Sequence, residues 1–252
     1  QLQLHTAMEG EDATKFVGGT EDGELVYCTW QLPEEEGVTF IQSSYSAHYG
    51  PIVALERSPF FEDVMLTVGD WTFNVFRGTT SEPVLKSSYS NTYLTTGRFS
   101  PTRPGVIFTG RSDGGIEIWD LMDRSHEASL DHNVSPVAVT SMEFWSDPSG
   151  NVQLLAVGDG QGTLHVLEIP RNLRRPFVNE TGLVQTLLER EVGRVDYMRD
   201  RMTVRGKELS VKEAEDEQKK QAADEAAAKA AAAEMAAKEA AEAAAQALAT
   251  GE

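Results

Sequence analysis

The sequence predicts an all-β domain built from repeated antiparallel sheets, followed by a helical segment. Three observations carry this. A β-rich run ending in glycine, a turn, and an alternating strand ending in a bulky residue recur four times before residue 170. Nearly all the large apolar and aromatic residues precede Met202. Beyond Met202 the chain is mostly Ala, Glu and Lys, so the globular part is expected to end near residue 205.

The four segments run over 16–30, 64–76, 106–120 and 154–168. Aligned on Val17, Val68, Thr109 and Val157, they step by 51, 41 and 48 residues. A blade of four antiparallel strands takes about 40–45 residues, so each step reads as one blade with modest loop insertions. Asp22-Gly23 and Asp113-Gly114-Gly115 supply the positive φ that a tight hairpin needs. Ile116 and Ile118 alternate with Glu117, so one face of that strand is expected to be buried. Further strands are predicted ahead of the hairpins, over 52–59, 97–101 and 137–145, the first two ending in Ser-Pro. Residues 16–170 thus hold three to four blades of a β-propeller. A seven-blade ring needs about 300 residues. The expected chain is therefore the C-terminal part of such a ring, with residues 1–15 a strand or linker continuing from blades outside this sequence. An opening Gln1-Leu2-Gln3-Leu4 without an initiator Met reads the same way.

Residues 171–205 are expected to form a linker and an amphipathic helix. Val184, Leu188, Val192, Val195, Met198 and Met202 recur at three- and four-residue steps, with Glu189, Arg190, Arg194 and Arg199 elsewhere. Two roles are open to that stripe: packing on the chain's own sheets, or lying in a partner's groove. Residues 206–252 are low-complexity. Between Ala222 and Ala249, 18 residues are Ala, the strongest helix former, and Glu215–Lys219, Asp216–Lys220, Glu225–Lys229 and Glu234–Lys238 place acid four residues before base. A solvated helix is expected.

The formal net charge of −18 opposes binding to phosphate backbones or anionic lipid, so neither nucleic acid nor membrane is an expected partner. The single cysteine, Cys28, cannot form an internal disulfide and suits a reducing compartment. Catalytic patterns are missing. The glycine cluster at 158–162 precedes a predicted strand, whereas a phosphate loop needs a helix N-terminus there. His5, His48, His126, His132 and His165 have no metal-ligand spacing, and Cys28 reads as a small core residue. No cofactor or metal is expected. Two features could bind a partner: the basic group Arg171, Arg174 and Arg175, and turn-adjacent aromatics such as Trp145 and Trp71. On the helix, Leu188, Val192, Val195 and Met198 are the matching candidates.

Trp119-Asp120 ends the third segment, and His48 falls ahead of the second hairpin, so residues 16–170 resemble WD repeats. In that family, Asp, His, Ser or Thr, and Trp lock each blade through hydrogen bonds. Here the resemblance assigns His48, Thr67, Asp70 and Trp71 to the second blade, with Phe76 in place of Trp. It assigns Thr109, Asp113, Trp119 and Asp120 to the third, which lacks the His. More narrowly, Ser58-Pro59-Phe60, Gly69-Asp70-Trp71, Ser100-Pro101 and Asp113-Gly114-Gly115, in that order, resemble dynein intermediate chains over residues 14–205. The drift from the cytoplasmic form and the Ala-rich tail make the sequence most similar to the large intermediate chain of the axonemal two-headed inner-arm dynein. The resemblance implies a noncatalytic subunit that binds dynein heavy-chain tails and a second intermediate chain. It also implies light chains through an N-terminal region outside this sequence, doublet microtubules indirectly, and an axoneme location with a cytoplasmic pool before assembly. The competing readings are another intracellular WD-repeat scaffold, in ciliary transport or as a ubiquitin-ligase adaptor, and, least favoured, a propeller hydrolase.

Overall fold

The computed structural model describes residues 2–4, 15–29, 40–78, 80–147 and 152–249. It divides into two units, 1–195 and 196–252.

The first unit holds four antiparallel sheets in chain order. Sheet one contains β1 (Leu2–Leu4), β2 (Lys15–Gly19), β3 (Glu24–Thr29) and β4 (Ile41–Ser46). Sheet two contains β5 (Ile52–Arg57), β6 (Val64–Gly69), β7 (Thr72–Arg77) and β8 (Leu85–Lys86). Sheet three contains β9 (Leu94–Phe99), β10 (Val106–Arg111), β11 (Gly115–Asp120) and β12 (Leu130–Asn133). Sheet four has three described strands, β13 (Val139–Ser146), β14 (Gln153–Asp159) and β15 (Leu164–Glu168). The first strands touch in succession, β1 with β5, β5 with β9, and β9 with β13, which is how the blades of a partial propeller stand round a common axis.

Each core lies between successive sheets. Val17, Leu25, Leu55, Met65 and Phe76 fill the space between sheets one and two. Leu66, Val68, Phe73, Val75, Ile107 and Trp119 fill the next, where the Phe73 and Trp119 rings meet edge to face at 5.0 Å. Phe108, Ile118, Met142, Leu155 and Val157 fill the last. Side chains alternate across a strand, so Met65 and Leu66 serve different cores, as do Ile107 and Phe108. A strand with sheets on both sides must be apolar on both faces. That is why β6, β10 and β11 are buried at every position instead of showing the half-polar alternation expected for the third hairpin.

The register corrects the alignment of the repeats. Thr67 faces Asn74, Thr109 faces Glu117 and Val157 faces His165, so Thr67, not Val68, is the equivalent of Thr109. Gly18, facing Val26, replaces Val17 in the same way. The slip arises because the second hairpin turns through Asp70 and Trp71 alone, with Asp70 at φ +53°. The third hairpin leaves Arg111 to Gly115 between its last pair, Gly110 and Ile116.

After β15 comes one turn of helix, α1 (Arg171–Arg174), and then α2 (Glu180–Ala249), 70 residues long. Val184, Leu188 and Val195 are buried, and Val184 and Leu188 join the core between sheets two and three, with Leu187 and Val192 packed beside them. The second unit is helical; Lys219 meets Asp216 at 3.4 Å, three residues back, rather than Glu215.

Candidate partner-binding surface

The surface begins with how the loops between sheets are fixed. The loop after each of the first three sheets holds its own sheet's hairpin by backbone hydrogen bonds. Its side chain then reaches into the next sheet. After sheet one, the amides of Ala47 and His48 donate to the Gly23 carbonyl. His48 Nε2 lies 3.0 Å from the Thr67 hydroxyl, and its Nδ1 lies 3.3 Å from the Thr72 hydroxyl. Burial, the dominant cause, pulls the His48 pKa down to about 4 against the pull of Asp70. A neutral imidazole is therefore the locking form. Asp70 accepts the amides of Tyr49 and Gly50 at 2.9 and 2.8 Å. Thus His48 joins Thr67 and Thr72, Asp70 fixes the two amides that follow His48, and Asn74, donating to the Ala47 carbonyl at 2.6 Å, stands in the strand facing Thr67. Phe76 is wholly buried in the neighbouring core instead.

The later sheets solve the same problem with other chemistry. In sheet three, Ser90 replaces the histidine and donates to Glu117 at 3.1 Å. Arg111 gathers Asp113, Glu117 and Asp131 at 3.0, 3.0 and 2.8 Å. The Thr109 hydroxyl has no partner among the described residues, and Trp119 donates to Glu117 at 3.3 Å. The hydrogen-bond set of the family resemblance is therefore absent at Thr109, Asp113 and Trp119, because the nearby Arg111 recruits the carboxylates. In sheet four, Asp159 accepts Ser135 at 2.9 Å and His165 at 3.1 Å, and the amides of Gln161 and Thr163. The His165 contact, with those amides, holds its carboxyl well below the usual carboxylate range. The glycine cluster is accordingly a hairpin turn.

Asp120 serves elsewhere. Arg103, 1% exposed, pairs with Asp120 at 2.8 Å and with Glu180 at 3.0 Å, and donates to the Asn172 carbonyl at 2.9 Å. Glu180 is itself buried and also accepts the Phe177 amide at 2.8 Å. One guanidinium thereby ties sheet three to α1 and to the start of α2. Neither Arg103 nor Glu180 was singled out from the sequence. The available signal was a charged residue enclosed by prolines at 101 and 104.

On the solvent side of the loops, aromatic rings converge. Trp71 stacks on Tyr93 at 4.4 Å, and both are exposed. Lys86 reaches over Tyr49 at 6.0 Å and Tyr89 at 5.9 Å. Asp70 links the two pairs: its carboxylate holds the Tyr49 amide, its carbonyl accepts Leu94 N, and the Trp71 carbonyl accepts Ser90 N. The tyrosines were missed in the sequence; Tyr49 follows His48 and Tyr89 precedes Ser90, loop residues that hold a hairpin, and Tyr93 precedes Leu94, whose amide donates to the Asp70 carbonyl.

Other candidates lie apart from this group. Trp145 is 55% exposed on β13. Arg171 and Arg175 are exposed, and Arg174 is half-buried. Leu188, Val192 and Val195 face inward, the first two on the chain's own core, so partner contact through them is not available in this arrangement; Met198 is exposed. Cys28 is half-buried, and desolvation raises its thiol pKa, which disfavours a nucleophilic thiolate.

Residues 3–169 match the family model of the dynein axonemal intermediate chain 3 WD40 domain. The chain belongs to the dynein intermediate chain family. It is 37% identical to dynein axonemal intermediate chain 3 of Mus musculus over 201 residues, 77% of this chain and 22% of that protein. It is 36% identical over 183 residues to the 70 kDa intermediate chain of the flagellar outer arm of Chlamydomonas reinhardtii, covering 72% of this chain and 31% of that protein. With dynein axonemal intermediate chain 2 of Mus musculus the identity is 32% over 223 residues, 83% of this chain and 33% of that protein. The chain spans a third or less of the length of these intermediate chains, and the WD40 match accounts for its β part.

Proposed function

We propose that this chain is the propeller-and-helix part of a noncatalytic intermediate chain of an axonemal inner-arm dynein. Its sheets hold the tail of a heavy chain, and through that contact the subunit assembles the motor and tethers it to a doublet microtubule in cilium or flagellum. A second intermediate chain, and light chains through a region N-terminal to this sequence, complete the proposed partners. The observation that carries the heavy-chain contact is the exposed group of Tyr49, Trp71, Tyr89 and Tyr93 with Lys86. Aromatic side chains on a fixed backbone lose little freedom on binding and dominate interface energetics. The buried polar clusters of the described residues are used to hold sheets together, which supports a scaffold rather than an enzyme.

Co-purification tests this. The full-length protein is expected to co-purify with a heavy chain, and Trp71→Ala with Tyr93→Ala to weaken that by about 2 kcal/mol or more, as for interface anchors. Deleting 183–202 is a poor substitute, since Val184 and Leu188 belong to the core. Intact axonemal motors purified without this subunit would end the reading.

A further inference from the structure

We propose that the arginine group on and just after α1 is a docking site for an acidic peptide: a Glu- or Asp-rich partner segment carrying one apolar side chain. The proposal goes beyond the heavy-chain reading and rests on different residues. Acidic side chains outnumber basic ones 40 to 22, so a surface arginine in this chain has abundant candidates for neutralisation. Several other arginines are paired in this way: Arg77 meets Asp63, Arg98 meets Glu143, Arg111 meets Glu117 and Arg194 meets Glu191. Arg171, Arg174 and Arg175 fall within five residues, and none has a carboxylate partner among the described residues. Arg174 also carries a buried Nε with no acceptor.

The three are held on a fixed support. Leu173 is buried in the core of sheets three and four, and the Asn172 carbonyl is bound by Arg103. A planar guanidinium takes a carboxylate through two parallel hydrogen bonds, and a fixed support lowers the ordering cost of doing so. Beside them lies a shallow depression of about 530 Å³ lined by Arg171, Arg175, Pro176 and Phe177. Phe177 is 60% and Val178 96% exposed, giving an apolar neighbour for one aliphatic side chain. That apolar floor favours a peptide over nucleic acid, as does a net charge of −18, which repels a long polyphosphate more than a short acidic segment.

The probe is a labelled oligoglutamate peptide with one central leucine, titrated into the full-length protein by fluorescence anisotropy. Arg171→Glu, Arg174→Glu and Arg175→Glu together are expected to raise Kd by about tenfold or more, since a few exposed ion pairs reverse sign. Phe177→Ser should raise it about threefold, and binding should weaken with added salt. Arg199→Glu with Arg201→Glu on α2 should leave Kd within about twofold, less than one weak ion pair. Should the triple variant melt early, Arg175→Glu alone, at an exposed position, decides, with an expected loss of about threefold. An unchanged Kd in the arginine variants, an equal loss in the α2 control, or tighter binding of a single-stranded oligonucleotide of matching charge overturns the proposal.

Discussion

Arg103 is the residue on which the joint between sheets and helix turns. Its charge is buried, so it persists only because Asp120, Glu180 and the Asn172 carbonyl surround it. Glu180→Ala leaves part of that charge uncompensated and should cost about 3–5 kcal/mol in denaturant unfolding. Replacing Arg103, Asp120 and Glu180 together by apolar residues, so that no buried charge is left unpaired, should cost less than the single change. Two other groups, the buried His48 and the half-buried Glu56, set the pH response in opposite directions. Burial lowers the His48 pKa from 6.5 to about 4, so between those values the unfolded chain holds a proton that the folded chain lacks, and stability is lost as pH falls. Burial raises the Glu56 pKa from 4.5 to about 7, although the Phe99 amide and Arg98 oppose this; here the folded chain holds the extra proton and stability grows as pH falls. Each effect is worth about 2 kcal/mol between pH 5 and pH 7, so they largely cancel in the parent protein. Denaturation at the two pH values should find His48→Gln more stable at pH 5 and Glu56→Gln more stable at pH 7.

At the scale of the element, the hairpin turns decide the blades. Gly114 sits at φ +89°, and a Cβ there would lie 1.8 Å from the Ser135 carbonyl oxygen. Gly114→Ala should therefore cost at least about 2 kcal/mol, read from the thermal midpoint. Gly193 gives the opposite case: it lies in α2 with open space around it, so Gly193→Ala should stabilise by about 1 kcal/mol. These turns were legible in the sequence because Asp-Gly pairs announce positive φ, and so were the four sheets, through their repeat. The sequence was less informative about what fills each locking position. Ser90 and Ser135 take the place of His48, and Glu117 and His165 the place of Asn74. These substitutions become equivalent only once strand register is known, and the short Asp70–Trp71 turn shifts that register by one residue. The helix stripe was legible as amphipathic, but periodicity alone does not say whether its apolar side meets the same chain or another. Val184 and Leu188 in the core answer for the first unit.

At the scale of the whole molecule, membership of the dynein intermediate chains fits a division of labour. Buried polar clusters bind sheet to sheet, and the loops they fix present aromatic rings outward. The surface around Trp71 was only partly legible, because its aromatic residues lie on three separate stretches that the hydrogen bonds of Asp70 and Trp71 bring together. The proposed contact with a heavy chain rests on this loop surface. Hydrogen exchange of the full-length intermediate chain, alone and mixed with a dynein heavy-chain tail, tests that proposal. Slowed exchange on binding is expected at residues 47–50, 70–73 and 88–94. Slowing confined to β13, β15 or α2, with those loops unchanged, would contradict it.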